Sequence, residues 1–152
     1  MTAADAREVR DRFAVVPLEL SAAAVGAEGS PVPAGEWGPD EVVRHLIAVE
    51  EIVWQGRLRQ LALVDRPTWP WIEPEPWSGE PAATLGDLLA IFRDGRAETV
   101  AILDGMNAQA WARTGVHAEW GEIDVAELVK RAIEHDEEHL AGLRAASVGG
   151  GG

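Results

Sequence analysis

Residues 133–143 read IEHDEEHLAGL and place two histidines, His135 and His139, four positions apart. On a helix those positions lie one turn apart on nearly the same face, so the two imidazoles converge on one point. Their neighbours fix which face that is. Steps of three and four from Leu128 and Ala132 lead to His135, His139 and Leu143, while Glu134, Glu137 and Glu138 fall outside that stripe. The pair therefore sits on or beside an inward stripe that also carries Val125, Val129 and Leu140. Asp124 is positioned to cap this helix, which is predicted to run to about Ala146.

Three further helical segments precede it. One starts at Pro39, a favoured first-turn residue, with Asp40 and Glu41 at the positive helix end. Its stripe is Val42, Leu46, Val49 and Val53, and it is predicted to reach about Val64. His45 lies three residues after Val42 and four before Val49, so it too faces inward. The first segment runs from about Ala4 to Ala24 with Val9, Phe13, Val16 and Leu20 inward, and Pro17 is expected to kink it. The third is capped by Thr84, with Asp87 as capping-box partner. It carries Leu85, Leu88, Leu89, Phe92, Arg96, Val100 and Leu103 and ends near Leu103–Met106.

Between the helices lie VGAEGSPVPAGEWGP, DRPTWPWIEPEPWSGEP and NAQAWARTGVHAEWGEI, whose glycines, prolines and tryptophans read as irregular chain. No strand series is expected. The fold class is all-α: an antiparallel four-helix bundle with long Pro/Trp-rich connections. Residues 1–148 read as a single domain and residues 149–152 as a flexible glycine tail.

His45, His135 and His139 thus occupy inward faces of two helices, an arrangement that builds a metal site in a bundle core. Three neutral imidazoles and one open position form a catalytic-type zinc shell. Imidazole also suits nickel, copper and iron. Two other metal motifs fail. HDEEH puts Asp136 where a zincin needs its catalytic glutamate, and little chain follows to add a ligand. Di-iron bundles need Glu-x-x-His pairs, but Ala132 and Val42 stand three residues before His135 and His45.

Composition bounds the function. The chain has 152 residues, 47% hydrophobic and 26% charged, an ordinary balance for one folded domain. It has no apolar run of membrane-spanning length and no signal-peptide pattern near its start, so a cytoplasmic location is expected. The net charge of −13, with Lys130 the only lysine, excludes nucleic acid and anionic membranes as favoured partners. There is no cysteine, so any thiol chemistry requires a thiol supplied from outside. The excess of Ala, Gly and Arg over Lys points to a GC-rich genome.

WGPDEVVRHLIAVEEIVWQGRL, FRDGRAETVAILDGM and WARTGVHAEWGEIDVAELVKRAIEHDEEHLAGL, in that order, resemble the DinB/YfiT-like metal-binding four-helix bundles over nearly the whole chain. The resemblance implies a metal triad of one histidine on the second helix and an HxxxH pair on the last, which fall on His45, His135 and His139. It implies a divalent metal, zinc or nickel foremost, and either hydrolysis or transfer to a small thiol such as bacillithiol or mycothiol, the latter suiting a GC-rich genome. A small-molecule substrate and a homodimer are expected on the same ground.

Other residues are weighed by type and place. Glu50 and Asp136 are candidates to orient a ligand imidazole through its second nitrogen. His117 is a candidate fourth ligand or cavity-lining donor, and Glu119 a candidate general base. Trp69, Trp71 and Trp77 are candidates for a substrate wall, a lid or a dimer face, whereas Trp37, Trp54, Trp111 and Trp120 read as packing residues. Arg57, Arg93 and Arg96 are candidates to meet an anionic substrate or to form surface salt bridges. An alternative stays open beside the enzyme: a non-enzymatic small-ligand or protein-binding module with a structural metal, for which a closed shell would speak.

Overall fold

The structure is a computed structural model that describes residues 2–150. Helix α1 spans Ala3–Ala27 and starts at a capping box between Thr2 and Asp5. Helix α2 spans Pro39–Val49. It continues through a π-helical segment, Glu50–Gln55, into α3, Gly56–Leu63. Helix α4 spans Leu85–Asp104 and starts at the expected Thr84–Asp87 capping box. A short helix α5, Ala108–Trp111, follows. Helix α6 spans Val125–Gly150, with the Asp124 carboxylate accepting from the Glu127 amide at 2.9 Å. Residues 151 and 152, half of the expected glycine tail, lie outside the described residues.

The periodicity that marked the helices also seats them. Phe13, Val53, Val100 and Val129 share one apolar cluster; Leu20, Leu46, Phe92 and Leu140 share a second. Burying each such side chain contributes about 1.5–3 kcal/mol. The order in which each helix visits the two clusters gives its direction. Helices α1 and α6 run one way, and α2–α3 and α4 the other. Two helices run each way, as the antiparallel bundle requires, but α2–α3 and α4 are consecutive and parallel. The long connection over residues 64–84 is the crossover that permits this. Arg44 on α2 ties it down by donating to the carbonyls of Trp77, Gly79 and Glu80.

Pro17 sits inside α1 without ending it. Proline lacks an N–H, so the Phe13 carbonyl four residues earlier loses its helical donor. Arg96 Nη1 takes that place, donating to Phe13 O at 2.8 Å.

A small three-stranded sheet corrects the expectation of wholly irregular connections. Strand β1, Thr68–Trp69, pairs parallel with β2, Thr114–His117, which pairs antiparallel with β3, Gly121–Asp124. The hairpin turns at Ala118–Trp120 and closes on Gly121, whose φ of +74° favours glycine. The sheet joins the two long connections and brings His117 to the bundle.

Candidate metal centre

His45 projects from α2, and His135 and His139 from α6. A ring nitrogen from each lies within 4.8 Å of the others. The Nε2 atoms of His45 and His135 are 3.2 Å apart. Two nitrogens bound at about 2.0–2.1 Å in a tetrahedral shell would be separated by roughly 3.3 Å, so the pair fits zinc-type coordination. All three imidazoles are half-buried, and burial first, then a neighbouring histidine, lowers each pKa to about 4. The rings are therefore neutral near pH 7, the form that ligates metal.

The expected orienting carboxylates are elsewhere. Asp136 is one residue beyond His135, about 100° around the helix, and Glu50 is five beyond His45, about 140° around. Both turn instead to Arg96. Arg96 donates through Nε and Nη2 to Glu50, with contacts of 2.8–3.0 Å, and through Nη2 to Asp136 at 2.8 Å. Thr99 Oγ1 donates to Glu50 at 2.6 Å. Burial opposes the Arg96 charge, but the two carboxylates hold its pKa above the usual arginine value. Burial raises Asp136 to about 6, the largest influence on it. This charged layer separates the two apolar clusters and fixes α1, α2–α3, α4 and α6 relative to one another. Meanwhile Nδ1 of His45 and of His135 has no hydrogen-bond partner, and aromatic packing holds the rings. Trp37 lies 5.0 Å from His45, and Trp54 meets His135 edge-on at 6.0 Å.

The three histidines line a cavity of about 660 Å³, within the usual range for small-molecule sites. Of the expected substrate wall, only Trp71 is there. Trp69 is buried in the core, its Nε1 donating to Gln60 at 2.6 Å. Trp77 packs against the second apolar cluster beneath Arg44. Trp37, Trp54 and Trp120, read from sequence as packing residues, line the cavity. Their exposure to it depends on the route of the connections, which helical periodicity does not encode.

His117 is brought to this cavity but not into the ligand group. Its Nδ1 accepts from the amides of Glu119 at 3.0 Å and Trp120 at 3.2 Å, which leaves the proton on Nε2. Its ring stacks on Trp120 at 3.9 Å. Glu119 is exposed in the turn and does not line the cavity. Arg57 is buried at the wall, Arg96 lies in the charged layer and Arg93 is exposed. Among the described residues, no helix is long and apolar enough to cross a membrane.

Comparison with known proteins agrees with this architecture. The family model of the DinB superfamily matches residues 3–142. YfiT from Bacillus subtilis, described as a probable metal-dependent hydrolase with an unusual four-helix bundle topology, superposes with a TM-score of 0.75. The match covers 97% of this chain and 88% of that one at 18% identity, so it speaks for the fold. No protein with a curated description matches the chain in sequence.

Proposed function

The chain belongs to the DinB superfamily, and from that premise we propose that it is a divalent-metal-dependent enzyme acting on a small electrophilic molecule, by hydrolysis or by transfer to a small thiol. One observation carries the reading: three neutral imidazoles converge at the wall of a cavity of about 660 Å³. A zinc or nickel ion held by His45, His135 and His139 would lower the pKa of a bound water or thiol and so supply a nucleophile near neutral pH. The protein's part is to keep the imidazoles unprotonated and to wall the substrate with tryptophan. With no cysteine in the chain, a transferred-to thiol comes as a cosubstrate, and a mycothiol-like molecule fits that role.

The ligand count favours catalysis over a closed structural shell. Among the described residues, no fourth side chain joins the three histidines, and the Nδ1 of His117 is spent on its own turn. Elemental analysis of untagged wild-type protein beside His45→Ala and His139→Ala tests the reading, together with a screen of electrophiles with and without thiol. About one metal per chain, lost along with turnover in both variants, is expected. Undiminished turnover in His139→Ala would sink it.

A further inference from the structure

Two residues that line this cavity each carry a buried hydrogen-bond donor without a partner. Arg57 is 4% exposed and His117 2% exposed, and both line the cavity. Arg57 Nη2 donates to the Pro70 carbonyl at 3.0 Å, but Arg57 Nε is buried and unpaired. His117 Nε2, which carries that ring's proton, is likewise buried and unpaired. Buried donors in folded proteins almost always find an acceptor. Among the described residues, no carboxylate pairs with Arg57; burial alone acts on it, and it is lowered from the usual arginine value. The contrast with Arg96, which two carboxylates neutralise, is plain. Arg57 is instead held in place by aromatic faces, its Cζ 5.4 Å from the Trp69 ring and 6.0 Å from Trp120. The acidic groups that line the cavity, Glu73, Glu75, Glu134 and Glu138, are all exposed, and none forms an ion pair with Arg57.

We propose that Arg57 and His117 form a carboxylate-binding subsite within the three-histidine cavity, so that the substrate is a small organic acid. A guanidinium presents its N–H groups in a planar fork that matches a carboxylate, and the His117 N–H adds a donor fixed by the turn amides. The apolar body of the acid lies along Trp71 and Trp120, whose rings meet edge to face at 6.2 Å. Which end of the substrate reacts rests on the three-histidine reading; the recognition of the anion does not.

The test is calorimetric titration of the untagged, metal-loaded protein with benzoate and with its uncharged isostere benzamide. Benzoate binds about 10- to 100-fold more tightly if the subsite is real. In Arg57→Gln that preference collapses to within about threefold while metal content is unchanged. Should Arg57→Gln fail to fold, His117→Asn carries the test: asparagine still offers an oxygen to the turn amides, but the Nε2 donor is gone. Benzoate affinity then falls about tenfold and benzamide affinity does not move. The same titration on metal-free His45→Ala separates the two readings. A preference that persists there belongs to Arg57; one that vanishes places the carboxylate on the metal and overturns the subsite. Equal binding of the two probes, no benzoate binding up to about 10 mM, or a benzoate affinity unmoved in both variants also overturns it. Wild-type protein without metal would instead overturn the enzyme reading and leave the benzoate result intact.

Discussion

Arg96 stood on the inward stripe of its helix from the start, yet its partners were not legible. Its expected roles were to meet an anionic substrate or to form a surface salt bridge; the structure buries it instead, and its own helix does not encode which carboxylates meet it across the others. The structure pairs it with Glu50, Asp136 and the carbonyl freed by Pro17. Truncating it strands two buried carboxylates, so Arg96→Ala should cost about 3–5 kcal/mol in urea unfolding. A loss below about 1 kcal/mol would mean that water reaches the layer. Arg96→Lys should recover only a small part, because one ammonium cannot span the same set of acceptors. The histidines make a second residue-scale prediction, for the metal-free protein. Their folded pKa values near 4 lie below the ordinary 6.5 of an unfolded chain. The unfolded state therefore takes up protons that the fold refuses, and stability falls as pH drops from 6.5 toward 4. Asp136 acts the other way, since its folded value near 6 exceeds the usual 3.8; what it contributes is present at low pH and lost as pH rises through 6. Three groups outweigh one, so Tm should decline on acidification. A Tm that climbs between pH 7 and 5 would contradict neutral histidines.

At the scale of elements, length decided what could be read. The long helices α1, α4 and α6 repeat the 3.6-residue pattern many times, and their caps announce themselves at Thr84 and Asp124. The strands span only two to four residues, too short for alternation to register, and prolines at 67 and 70 flank β1. A local signal was nonetheless present: Gly121 follows a three-residue turn in the left-handed region. The π-helical segment left no trace, because it changes the angle of facing residues without changing their type. Two glycines of the hairpin make the sheet's role measurable. Gly121→Ala meets open space but puts a side chain at positive φ, for a cost of about 1 kcal/mol. A Cβ on Gly115 would overlap the buried Trp69 ring, so Gly115→Ala should cost more, about 2–3 kcal/mol. Thermal unfolding of the two variants orders them; equal losses would mean that Trp69 does not rest on Gly115.

Across the whole molecule, the triad was readable and its surroundings were not. Periodicity alone turned His45, His135 and His139 inward, and two helices sufficed to bring them together. The cavity wall comes from five separate stretches of chain, including the connections that carry Trp37, Trp71 and His117, and no single-helix pattern predicts how these meet. The proposed metal also has a structural consequence. It would bridge α2 and α6, helices that run in opposite directions and are far less intimately packed on each other than α1 is on α6. An ion that binds the folded chain and not the unfolded one stabilises it by mass action, about 2.7 kcal/mol at a hundredfold excess over Kd. Tm of the metal-stripped protein should therefore rise with zinc or nickel concentration. It should not rise in His45→Ala, which removes the α2 side of the bridge, nor in His139→Ala, which removes one of the two α6 ligands. Magnesium, which prefers oxygen ligands, should leave the wild-type Tm where it was. A zinc-dependent rise that survives both substitutions would locate the bound ion on the acidic surface instead of between the helices.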